Sequence, residues 1–110
     1  MEAVSLVRLG HEHLSRAAGA TAGRSSVTVH GGQGYALHQT LIALAAGHGL
    51  DEHRHTGEAT LQVVHGTVDL VTSDDTVRLR TGDHAVVPAA AHSVAASEDS
   101  VVLLTTTAGH

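Results

Sequence analysis

The sequence predicts an all-β protein, an antiparallel sandwich or barrel, with a short helical segment at its N-terminus. From residue 25 onward the chain divides into short runs in which apolar and polar residues alternate, the mark of half-buried strands. Turn-forming clusters recur between them, including His30-Gly31-Gly32-Gln33-Gly34, Ser73-Asp74-Asp75 and Thr81-Gly82-Asp83. A chain of 110 residues is long enough for one hydrophobic core and too short for two.

Residues 11–24, rich in Ala, Leu, Glu and Arg, predict a short helix that ends near Gly19 or Gly23. On a helix His11 and His13 stand about 200° apart and cannot share an ion, so both are read as exposed or locally capped. Residues 26–30 form a first strand, broken by the glycine cluster that follows. Residues 37–46 are next, with apolar side chains on both parities from Leu41 onward. Such a strand needs cover on both faces, by the core on one side and by another sheet or a second subunit on the other. Residues 68–72 and 77–80 make a hairpin, 84–87 a strand stopped by Pro88, and 93–96 and 101–107 the last two strands. The division predicted is a helical segment, residues 1–24, and a single β domain, residues 25–110.

Composition excludes several classes of function. The net charge is −5, and the basic residues form no patch or stripe, which argues against nucleic acid or an anionic membrane surface as partner. The absence of cysteine excludes disulfides and thiolate chemistry. No G-x-S-x-G elbow supports acyl transfer, and no G-x-G-x-x-G follows a strand. The N-terminus lacks the marks of a signal peptide, and no run approaches the roughly 20 apolar residues of a membrane span. A soluble, cytoplasmic protein is expected. Aromatics make up only 1% of the chain, so Val, Leu and Ala must fill the core.

The 11 histidines mark the candidate site, although most are read as bystanders, His38, His48 and His84 among them. His110 is taken as an expression remnant and set aside. His53 and His55 differ, because they run into an alternating segment that contains Leu61 and Val63. In an extended backbone side chains two apart point the same way, which brings the two imidazoles to one point at a metal ion's reach.

Here the sequence resembles the cupin superfamily. The first cupin motif reads as Gly47, five residues, His53-Arg54-His55, three residues, Ala59, six residues and Gly66. The second reads as Gly82, five residues, Pro88, and then His92 after a turn one residue shorter than usual, with Ala90 in place of a glycine. The short connection between them is that of small single-domain bacterial cupins. The fold this resemblance implies is a double-stranded β-helix, or jelly-roll barrel, with a metal near one end.

The family's metal-binding glutamate position is Ala59, whose methyl group cannot coordinate an ion. Glu58 faces away from Leu61 and Val63 by alternation, and would need a bulge at Gly57 to turn inward. The resemblance therefore implies a three-histidine site, His53, His55 and His92, for a divalent transition metal such as iron, zinc, nickel, copper or cobalt. His65 shares the parity of Leu61 and Val63 and is read either as supporting a ligand through its N–H or as satisfied at the strand's end. Ala59, Leu61 and Val63 would line an apolar pocket. The function implied is a metal-dependent oxygenase, lyase or isomerase acting on a small, largely apolar molecule. The alternative is a non-catalytic cupin that binds a small ligand or metal as a sensor or accessory protein. The doubly apolar strand and short chain favour a homodimer.

Overall fold

A computed structural model describes residues 1–107; His110, set aside above, lies outside the described residues. The chain begins with helix α1 (Leu6–Ala18). Nine strands follow: β1 (Arg24–His30), β2 (Leu37–Leu44), β3 (Gly49–His53), β4 (Ala59–His65), β5 (Thr67–Thr72), β6 (Thr76–Arg80), β7 (His84–Val86), β8 (His92–Ala96) and β9 (Ser100–Thr107). They form a five-stranded sheet in the order β1-β2-β9-β4-β7 and a four-stranded sheet in the order β3-β8-β5-β6. Every pairing within them is antiparallel.

Each sheet turns an aliphatic face inward. Leu44, Leu61, Val63 and Val102 of one meet Val68, Leu70, Val94 and Ala96 of the other in a single buried cluster. Among the described residues the two sheets keep separate ladders with β1, β7, β3 and β6 as edges, so the structure is a two-sheet sandwich and no sheet closes on itself into the expected barrel. No helix is long and apolar enough to cross a membrane among the described residues.

The doubly apolar strand is covered on both faces, by the core between the sheets on one and by helix α1 on the other. Ile42 and Leu44 of β2 enter the core between the sheets. Leu41 and Ala43 point the other way and pack, with Val101 and Leu103 of β9, against Ala17, Leu6, Leu9 and Leu14 of α1. The helix starts well before the predicted residue 11, because the Ser5 side chain caps it by accepting the Arg8 N–H at 3.2 Å. Gly10 lets α1 lie close to the sheet, since a Cβ there would stand 2.9 Å from Val101 Cγ1.

Register brings chain segments to one end of the sandwich. On the five-stranded sheet Ala59 pairs with Thr106 and Leu37 with Thr107, while the Val87 N–H donates to the Ala59 carbonyl at 2.9 Å. On the facing sheet His53 and Thr72 both pair with His92. The end of β3 and the start of β8 therefore lie together.

Candidate functional site: an imidazole cluster at one end of the sandwich

His53 is the last residue of β3 and His92 the first of β8, and the ladder sets them opposite each other. Their ring centroids are 4.3 Å apart at an interplanar angle of 62°. His55 lies beyond the end of β3, outside any strand, and its ring centroid is 5.5 Å from that of His92 at 66°. Strand alternation thus does not carry the His53 and His55 pair. The register slips between Leu50 and His53, the strand stops, and the segment leading to Gly57 brings the His55 ring back over His92.

His92 is 2% exposed, the most buried member of the cluster, while His53 is open to solvent. Burial pushes the His92 pKa below the ordinary imidazole value. Its hydrogen bond to the Ala90 backbone opposes that shift, and the His53 and His55 rings nearby reinforce it. Two backbone carbonyls orient the rings. Nδ1 of His53 lies 2.9 Å from the Asp51 carbonyl oxygen, and Nδ1 of His92 lies 3.1 Å from that of Ala90. A carbonyl can only accept, so each Nδ1 carries the proton and donates. In the neutral ring Nε2 is then left as an acceptor.

The expected metal centre is not formed. Among the described residues no group of three or more His, Asp or Glu side chains is placed to hold a metal ion. The His53 and His55 rings stand at 62° and 66° to the plane of His92. The three-histidine metal site, the divalent transition metal and the oxygenase chemistry derived from them are therefore set aside.

The other residues singled out from sequence fall elsewhere. Glu58, just before β4, stays exposed and is tied to Thr107: its N–H donates to Thr107 Oγ1 at 3.0 Å and its carbonyl accepts from the Thr107 N–H at 3.0 Å. Ala59, Leu61 and Val63 point inward but are 2%, 1% and 0% exposed, so Leu61 and Val63 pack in the core and line no open space. His65 leaves the inward parity because β4 bulges between Val63 and His65, which turns its ring toward α1, 5.8 Å from that of His11. His13 is 5% exposed instead of solvated, with Nδ1 2.7 Å from Ser25 Oγ.

A recess of about 250 Å³ is lined by Leu70, Thr72, Ala85, Val86 and Pro88 with their neighbours Asp75 and Val77. Thr72 is the register partner of His92, which ties the recess to the cluster. Within this set Pro88 was marked in the sequence by the second motif and Asp75 by its turn. The rest become neighbours when the edges β6 and β7 face each other.

A two-layer antiparallel sandwich with histidines gathered at one end is the class of protein that fold and site define. The family follows from the sequence itself: a family profile described as the cupin domain matches residues 40–107, and the chain belongs to the cupin superfamily. Among solved structures it is similar to a conserved protein of unknown function from Streptococcus pyogenes, with a TM-score of 0.72, 24% identity, and coverage of 83% of this chain and 79% of that one. It is likewise similar to an RmlC-like cupin from Desulfovibrio desulfuricans, with a TM-score of 0.65, 25% identity and coverage of 76% and 81%. A salicylate 1,2-dioxygenase from Pseudaminobacter salicylatoxidans superposes with a TM-score of 0.74 over 91% of this chain but only 33% of its own, at 17% identity, a likeness of fold alone. No curated protein sequence matches the chain.

Proposed function

We propose that the chain is a small-ligand-binding cupin domain whose ligand sits against His53, His55 and His92 and presents O–H or N–H donors to them. The observation that carries this reading is the pair of Nδ1 contacts to the Asp51 and Ala90 carbonyls, which leaves Nε2 of His53 and His92 as acceptors on two rings whose centroids are 4.3 Å apart. With its pKa held down by burial, His92 remains an acceptor at neutral pH. The net charge of −5 adds long-range attraction for a positively charged molecule. A small amine or polyol meets these terms, with an apolar portion accommodated in the recess beside Thr72 and Pro88. In this reading residues 25–110 form the binding domain and residues 1–24 its outer cover.

The test is titration of the metal-free protein at pH 7.5 with small amines, polyols and carboxylic acids, followed through the imidazole resonances. Amines or polyols should move the His53, His55 and His92 signals saturably, and His92→Phe should abolish the response. If carboxylates alone bind there, or if His92→Phe binds the same compounds unchanged, the reading fails.

A further inference from the structure

A second cavity lies on the opposite side of the five-stranded sheet, outside the sandwich. It has a volume of about 220 Å³ and is lined by Val7, His11 and Leu14 of α1, Val64 and His65 of β4, and Val101 of β9. Four of these side chains are aliphatic, and none is acidic. The two polar members are on different elements, yet their rings approach to 5.8 Å at an angle of 47°. Three local features build the space. The bulge in β4 turns His65 outward, the Gly10 approach to Val101 brings α1 near the sheet, and the helix places Val7, His11 and Leu14 on one face at spacings of four and three.

We infer that this cavity binds a small monocarboxylic acid whose apolar body lies on Val7, Leu14, Val64 and Val101 and whose carboxylate bridges His11 and His65. A cavity of about 150 Å³ accommodates benzene, so 220 Å³ holds one ring and its substituent but not a drug-sized molecule. Each imidazole offers an N–H in either tautomer, and a planar carboxylate has two oxygens to accept one from each. An amphiphile suits the cavity because its lining joins two imidazoles to four aliphatic side chains. This site is independent of the His53, His55 and His92 cluster, and either can fail without the other.

Benzoate is the direct probe, with benzyl alcohol as the counterpart that keeps the ring and loses the charge, and acetate as the one that keeps the charge and loses the ring. Titrated into the intact chain and followed by amide and imidazole resonances, benzoate should shift residues of 7–14, 64–65 and 101 saturably. Its dissociation constant should be at least tenfold lower than those of benzyl alcohol and acetate. The double variant His11→Gln, His65→Gln, both at exposed positions, should weaken benzoate at least tenfold with the fold unchanged. Val7→Phe, which fills the cavity from an exposed helix position and spares both imidazoles, should weaken it as well. Equal affinity for benzyl alcohol, benzoate binding that survives the double variant, shifts confined to His53, His55 and His92, or no saturable shift would each overturn the inference.

Discussion

At the scale of single residues, His92 couples the site to stability. Its imidazole is 2% exposed, and burial holds its folded pKa below the ordinary value of 6.5 that the unfolded chain retains. Between those two values the unfolded chain binds more protons than the folded one, so stability falls as pH falls. The contribution is complete above about pH 6.5 and is lost as pH drops toward the folded value. Urea unfolding at pH 7.5 and 5.5 should therefore give a lower midpoint at pH 5.5, and His92→Gln should narrow the gap; an unchanged gap would mean that another group titrates. The positions of His53, His55 and His92 were legible in the sequence from their spacing around Gly47, Pro88 and Gly82. Ring orientation was not, because the Asp51 and Ala90 carbonyls set it, and no side-chain pattern encodes a backbone contact. His65 does end its strand, but its inward parity was misread for a related reason: alternation holds only while the register holds, and β4 bulges just before it.

At the scale of elements, two glycines set how closely backbones pack. A Cβ at Gly49 would run into the Val94 carbonyl oxygen of β8, a backbone atom that cannot swing aside. Gly49→Ala should therefore displace β3, cost about 1–3 kcal/mol in chemical denaturation as other overpacked sites do, and shift the His92 resonances. On the outer face Gly10→Val should push α1 from Val101 and cost a similar amount, about 1–3 kcal/mol, measured the same way. Strand β5 could be read from its alternation, and β2 and β9 from their continuous aliphatic runs. Strand β3 could not, since Gly-Leu-Asp-Glu-His offers one apolar residue, Leu50, and is an edge held by its ladder to β8. The start of α1 was also missed, because Ser5 is a cap only in the light of the Leu6, Leu9 and Leu14 face that packs behind it.

At the scale of the whole molecule there are three layers: α1, the five-stranded sheet and the four-stranded sheet. The central layer is the sheet that contains Leu41, Ala43, Val101 and Leu103 on one face and Leu44, Leu61, Val63 and Val102 on the other. Deleting residues 1–19 would expose the first of these faces, and such a chain should bind a hydrophobic dye and self-associate in sedimentation; a monomer without dye binding would show that α1 is dispensable. Leu61 is 1% exposed at the centre of the inner face, so Leu61→Ala should cost about 2–5 kcal/mol in urea unfolding. The need to cover both faces of β2 was plain from Leu41 onward, but its source was not. Sequence parity identifies an apolar face and leaves open whether a helix, a sheet or another chain lies on it.

The ligand reading rests on the direction in which the clustered imidazoles present their lone pairs, and long-range proton–nitrogen correlation spectra of uniformly labelled, metal-free protein at pH 7.5 measure that directly. The account predicts that His53 and His92 are Nδ1–H tautomers with unprotonated Nε2. Finding Nε2–H tautomers at both positions would contradict it, because the cluster would then offer donors where acceptors are required.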